Sequence, residues 1–177
     1  MKIIKGNHRV DNIKIAIILP RFHESIGEKL LAGAVKAFHD AKGKPENLTV
    51  VRIPGSFEIP LTAQKLIATK KYDAIIALGV LVKGETYHFE AVAKALVDGI
   101  RSVMLETGVP IIFEVLMVPD IKFAKKRAGK TPYNNKGYSA VISALEMVEV
   151  LRKINEYTVI ASEAKQSPRI DSSLRSE

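Results

Sequence analysis

Four apolar runs rich in β-branched residues constrain this chain more than any other feature: Ile13 to Leu19, Leu48 to Ile53, Ala74 to Leu78 and Pro110 to Val118. They are nearly continuous rather than alternating, which is how strands read when water reaches neither face of their sheet. Between them, apolar residues recur at helical spacing. Ile26, Leu30, Ala34, Ala37 and Phe38 mark one such segment; Ile59, Ala63, Leu66 and Ile67 mark the next. Val92, Leu96, Gly99, Ile100 and Val103 mark a third, and the fourth run is followed by a short helix near Asp120 to Ala128. A longer helix then carries Val141, Ala144, Leu145, Val148 and Leu151. This alternation predicts an α/β three-layer sandwich, a four-stranded parallel sheet with helices on both faces. Right-handed crossovers leave the flavodoxin-like open sheet as the simplest topology.

The chain has 177 residues, enough for one domain with a substantial core, and shows no internal repeat. The domain is expected over 13–155, between an N-terminal arm (1–12) and a C-terminal tail (156–177). The tail stretch TVIASEAKQSPRIDSSLRSE has no sustained apolar face. It is expected to be mobile and without a catalytic part, a weak terminal helix being the alternative. The absence of cysteine excludes disulfides, thiolate zinc ligands and thiol catalysis. No apolar run approaches the roughly 18 residues of a membrane span, and MKIIKGNHRVDN turns polar too early for a signal peptide. Cytoplasm is the expected location and no membrane partner is expected.

The net charge of +8 is partly local, because six Lys/Arg and no acid lie between Lys122 and Lys136. A solvated helix face and an anion site both fit that stripe. Nucleic acid fits it poorly, since no aromatic stacking pattern interleaves with the basic residues.

In an open parallel sheet, ligands bind outside the carboxyl ends of the strands. The first strand leads into Pro20-Arg21-Phe22-His23, the second into Pro54-Gly55-Ser56-Phe57-Glu58 and the third into GVLVKGETYHF at 79–89. The fourth carries Phe113 and Glu114. Gly79 and Gly84 permit backbone conformations or close approaches that a side chain would block. Gly84-Glu85-Thr86 reads as a phosphate cradle at a helix N-terminus or as an ordinary capped helix start. His88 stands at that loop, and histidine's ordinary pKa of roughly 6.5 suits proton transfer near neutrality. His23 shares the mouth, while His8 and His39 read as structural or solvent-exposed. No histidines pair at metal-ligand spacing, so no metal is expected. Phe22 is either a stacking platform or a hydrophobic plug, and Glu58 either accepts ligand hydroxyls or favours a helix start.

Together these segments resemble the 6,7-dimethyl-8-ribityllumazine synthase family. The residues that carry the resemblance are PGSFEIP at 54–60, ALGVLVKGETYHFE at 77–90 and LETGVPIIFEVL at 105–116. RAG at 127–129 and NKG at 135–137 join them, with Arg21-Phe22 and Leu31-Ala-Gly-Ala34 upstream. The similarity spans roughly Lys14 to Ile154, and its specificity lies in the order and spacing of the pieces.

The resemblance implies condensation of 5-amino-6-(D-ribitylamino)uracil with 3,4-dihydroxy-2-butanone 4-phosphate, without cofactor, metal or redox chemistry. It implies that Phe22 stacks on the pyrimidine and that Phe113 closes the pocket from the next subunit. Ser56, Phe57, Glu58, Val80, Leu81 and Val82 would hold the pyrimidine and ribityl chain. Glu85 and Thr86 would present donors to the phosphate, Arg127 would clamp it with Lys136 as a further neighbour, and His88 would move protons. The implied assembly is a homopentamer, which some family members extend to an icosahedral shell of twelve pentamers; association with riboflavin synthase is a further implied partnership. Ser56 stands where the family often has alanine, His23 where asparagine is common and Lys83 where arginine is frequent. The 130–136 segment is one residue longer than the compact form and contains Pro132, so the shell stays open. The competing functions are a non-catalytic lumazine- or riboflavin-binding relative and an RNA-binding module.

Overall fold

The computed structural model of the chain describes residues 1–10 and 12–166, with side chains through residue 157. Four strands, β1 (Ile15–Pro20), β2 (Leu48–Ile53), β3 (Ala74–Val82) and β4 (Ile111–Val118), form one sheet in the order β2-β1-β3-β4. All pairings are parallel. Among the described residues there are five α-helices: α1 (Glu24–Asp40), α2 (Ile59–Ala68) and α3 (His88–Thr107) join successive strands, and α4 (Ile121–Arg127) and α5 (Lys136–Gln166) follow β4. This is the doubly wound α/β arrangement that continuous apolar strands require.

The two faces divide the strand residues by parity. Ile15, Ile17 and Leu19 of β1, with Ile76, Leu78 and Val80 of β3, pack against α1, α4 and α5. Ala16, Ile18, Ile75 and Ala77 face α2 and α3. Every residue of β1 is buried, so neither parity could be polar. The predicted helix stripes are the buried ones: Ile26, Leu30, Ala34 and Phe38 on α1, and Leu96, Ile100 and Val103 on α3. Each large aliphatic side chain so enclosed contributes about 1.5–3 kcal/mol of transfer free energy. α3 stops at Gly108, whose φ of 69° is left-handed and whose N–H donates to the Met104 carbonyl at 3.0 Å.

β3 is longer than its apolar run. Gly79 to Val82 stay in the sheet because β4 continues beside them, Gly79 opposite Val115 and Val82 opposite Val118. Gly79 is therefore a strand residue rather than a loop residue, with ordinary van der Waals space around it, and Gly84 faces open space. Neither has the left-handed backbone that would demand glycine.

Where α1 meets α5, Asn135 is buried and its amide donates to the carbonyls of Lys29 at 2.9 Å and Gly129 at 2.8 Å. Its carbonyl oxygen accepts from the Tyr138 N–H at 3.2 Å. A methyl group on Gly137 would overlap the Leu30 carbonyl, so the helices approach this closely only with glycine there. The Asn-Lys-Gly triplet is thus a clasp that fixes where α5 begins, and with it Lys136. Asn135→Ala is expected to lower stability by roughly 1–3 kcal/mol, since it strands two partly buried carbonyls and an N–H. A urea midpoint that barely moved would refute the clasp.

α5 continues to Gln166, through the first residues of the stretch expected to be a tail; 167–177 lie outside the described residues. Among the described residues, no helix is long and apolar enough to cross a membrane.

Candidate active site

The carboxyl ends of β1, β2 and β3 open onto a cleft of about 720 Å³. Three local features shape it. First, the Arg21 N–H donates to the Ile53 carbonyl at 2.9 Å, tying the end of β1 to that of β2. The chain then turns through His23, the N-cap of α1, at φ 56° in the left-handed region. Asparagine and histidine tolerate that conformation better than β-branched residues do. Phe22, just before this turn, is left 70% exposed. Second, Ser56–Glu58 forms a 3-10 turn that feeds α2, whose first turn contains Pro60. Third, β1 pairs with β3 only as far as Ile18 opposite Ala77. Beyond that, the β1-facing backbone groups of β3 through Val82 have no ladder partner there. Val80 and Val82 therefore line the cleft with free main-chain groups, while Leu81, whose main chain bonds β4, lines it without them.

Most of the expected site residues meet in this cleft. Phe22, Ser56, Phe57, Glu58, Val80, Leu81, Val82, Thr86 and His88 all line it. His88 is the first residue of α3, and its N–H reaches the Thr86 hydroxyl oxygen at 3.4 Å. Glu85 is exposed in the same loop and does not line the cleft. His23, Pro54, Gly55, Gly84, Phe89, Ala91 and Val92 complete its wall. The 84–88 loop thus leads directly into the free N–H groups of α3, a terminus that favours anions.

Two polar atoms in the cleft are left incomplete. Among the described residues, Ser56 Oγ and Glu58 Oε2 are buried without a hydrogen-bond partner. An unsatisfied buried group costs about 1–3 kcal/mol, and such groups concentrate where a ligand completes them. Lys83, in contrast, turns to Glu90 at 3.0 Å. The hydrogen bond from Lys83 holds the Glu90 carboxyl below the usual carboxylate range. Lys83 is accordingly engaged at the loop's outer side and does not line the cleft.

Arg127 and Phe113 are not in this cleft. Arg127 lines a second one, of about 400 Å³, along the outer edge of β4, together with Glu114, Phe123 and Lys136. Its guanidinium donates to the Phe123 carbonyl of its own helix at 3.3 Å and, among the described residues, forms no ion pair. Lys125 and Lys126 are exposed and line neither cleft. Lys122 pairs with the α4 N-cap Asp120 at 2.9 Å. Location thus singles out Arg127 and Lys136 where charge could not. Phe113 is partly buried against the α2/α3 layer and lines neither cleft. The two linings share no residue, and they lie on opposite sides of the sheet: α3 walls the first, α4 and the start of α5 the second.

Sequence reasoning gave Glu114 no role, yet it is the acid of the second cleft. Lys136 Nζ lies 4.0 Å from Glu114 Oε1. Burial raises the Glu114 carboxyl above its ordinary range, with Lys136 opposing the shift. A lone acid inside the run IIFEVL was the available signal.

A profile of the family described as 6,7-dimethyl-8-ribityllumazine synthase matches residues 12–152. Among similar curated proteins, all named 6,7-dimethyl-8-ribityllumazine synthase, one from Chlorobium phaeovibrioides is 41% identical over 149 residues, covering 84% of this chain and 96% of the relative. One from Chlorobium luteolum is 42% identical over 154 residues, covering 87% and 99%. The protein from Thermococcus kodakarensis is 40% identical over 156 residues, covering 88% and 97%.

Proposed function

The chain belongs to the 6,7-dimethyl-8-ribityllumazine synthase family and is a lumazine synthase, and from that premise we propose that its two clefts are halves of one active site, joined between neighbouring copies of a pentamer. The observation that carries this reading is the division of the anion-binding groups. Thr86 and His88 line one cleft, Arg127 and Lys136 the other, with the sheet between them. A phosphate held by both sets has to meet them from two chains. Phe113, on the same edge strand as the second cleft, comes with it and closes the pocket.

The pyrimidine of 5-amino-6-(D-ribitylamino)uracil stacks on the exposed ring of Phe22, and Phe57 borders it. Its polar edge pairs with the free main-chain groups of Val80 and Val82, and Leu81 borders it. The ribityl hydroxyls complete Ser56 Oγ and Glu58 Oε2, the atoms without partners. 3,4-Dihydroxy-2-butanone 4-phosphate sets its phosphate between the Glu85-Thr86 end of the loop and the neighbour's Arg127.

The pyrimidine's 5-amino group attacks the ketone, and loss of water gives the imine. Removal of a proton beside the imine then expels phosphate. The resulting enol takes up a proton to become a ketone, and the ribitylamino nitrogen attacks it. Loss of a second water closes the ring. Each step moves a proton, and His88 is the titratable side chain of that loop that lines the cleft. Holding the flat pyrimidine and the phosphorylated ketone in register contributes up to about 7–11 kcal/mol of barrier reduction, because the encounter is made before reaction.

Mixed oligomers test the shared site. At a ketone concentration well below the wild-type KM, where both single variants are slow, co-assembling His88→Ala with Arg127→Ala chains is expected to restore about a quarter of the wild-type rate of lumazine formation. In a ring with head-to-tail contacts, a random equal mixture gives that fraction of junctions both intact groups. A mixture no more active than the two parents would place both groups in one chain and defeat the reading.

A further inference from the structure

We propose that Glu114 is an internal counter-anion of the Arg127/Lys136 cleft: it holds the Lys136 ammonium in place when the cleft is empty, weakens the grip on a bound dianion and so speeds phosphate release. The inference rests on the reading that this cleft receives the phosphate.

Glu114 sits on β4 opposite Leu78 of β3, an apolar neighbour. The charged groups that face it across the cleft are Lys136 at the start of α5 and Arg127 at the end of α4; Phe123 supplies the apolar wall. The Asn135 clasp fixes the start of α5, so Lys136 has a defined place, and its ammonium stands 4.0 Å from the carboxylate. The Glu114 side chain is only 22% exposed, which limits water's screening of whatever anion enters. With Glu114 ionised, the three groups sum to a single positive charge; with Glu114 protonated, they sum to two. The raised carboxyl shows that the charged form is already strained by burial, with Lys136 offsetting only part of it. A bound dianion opposes the carboxylate charge further. Its binding is therefore linked to proton uptake by Glu114, and affinity rises as pH falls. For a synthase that must discharge phosphate each turnover, two unopposed cations would hold the product longer than a cleft with a built-in acid.

Sulfate is the suitable probe, because it stays a dianion from about pH 5 to 8, where phosphate itself titrates. Calorimetric titration of sulfate into the assembled protein is expected to show affinity increasing as pH is lowered over that range. Glu114→Gln keeps the shape and removes the charge. It is expected to bind sulfate roughly tenfold more tightly at pH 8, the factor carried by one unit of proton linkage, and to lose most of the pH slope. Turnover should show the matching split, with stronger inhibition by inorganic phosphate. If Arg127→Ala leaves sulfate binding unchanged, the phosphate reading of the cleft fails. If Arg127→Ala weakens it but Glu114→Gln retains the wild-type affinity and slope, the counter-anion is refuted and the reading of the cleft survives.

Discussion

Replacing His88 with alanine is expected to slow lumazine formation at saturating substrate by roughly tenfold to a thousandfold without abolishing it. General acid–base groups typically contribute about 10²–10⁴-fold. Here the lower part of that range applies, because the amine and ketone condense slowly on their own and the cleft still orients them. His88 is exposed at the first turn of α3, within the cleft wall and outside both core clusters. Its loss should leave the denaturation midpoint nearly unchanged, so a fall in kcat would report chemistry rather than folding. The decisive measurement is kcat across neutral pH in wild type and variant. An unaltered kcat in His88→Ala would remove this side chain from the proton transfers.

Arg127→Ala is expected to raise KM for the phosphorylated ketone by roughly 10–100-fold, with little change for the pyrimidine. Hydrogen bonds to charged groups are worth about 1.5–3 kcal/mol, and a guanidinium offers a phosphate two at once. Arg127→Lys should recover part of the loss, since it restores the charge without the planar fork. Lys136 and the α3 terminus remain, which is why binding is weakened rather than lost. Equal effects on the two substrates would count against a phosphate clamp. A lowered denaturation midpoint is not expected, because among the described residues the exposed guanidinium bonds only the carbonyl of Phe123 in its own helix.

The residues that were legible in the sequence are those whose environment is set by local period. Ile15 to Leu19 and Ala74 to Leu78 read as fully buried strands and are so, because helices cover both faces. The stripes on α1 and α3 were readable for the same reason. Gly79 misled: a glycine after an apolar run looks like a strand end, but pairing with Val115 keeps it in the sheet. Asn135 looked like part of a polar loop, whereas its amide bridges Lys29 and Gly129, partners that local sequence cannot announce. By charge Arg127 was one cation among six; the family resemblance singled it out, and its position on a cleft wall does so independently.

Sequence alone determined the layers of this protein, the strands and helices that fill them and the rim where polar residues collect, since hydrophobic period follows directly from backbone geometry. Tertiary structure decided how far β3 outruns β1, and thereby which main-chain groups are free to bind. It also decided that the groups expected at one site line two clefts on opposite sides of the sheet. Those outcomes depend on which strand lies beside which and where each pairing stops. Contacts between residues far apart in the chain set both, and no local pattern encodes them.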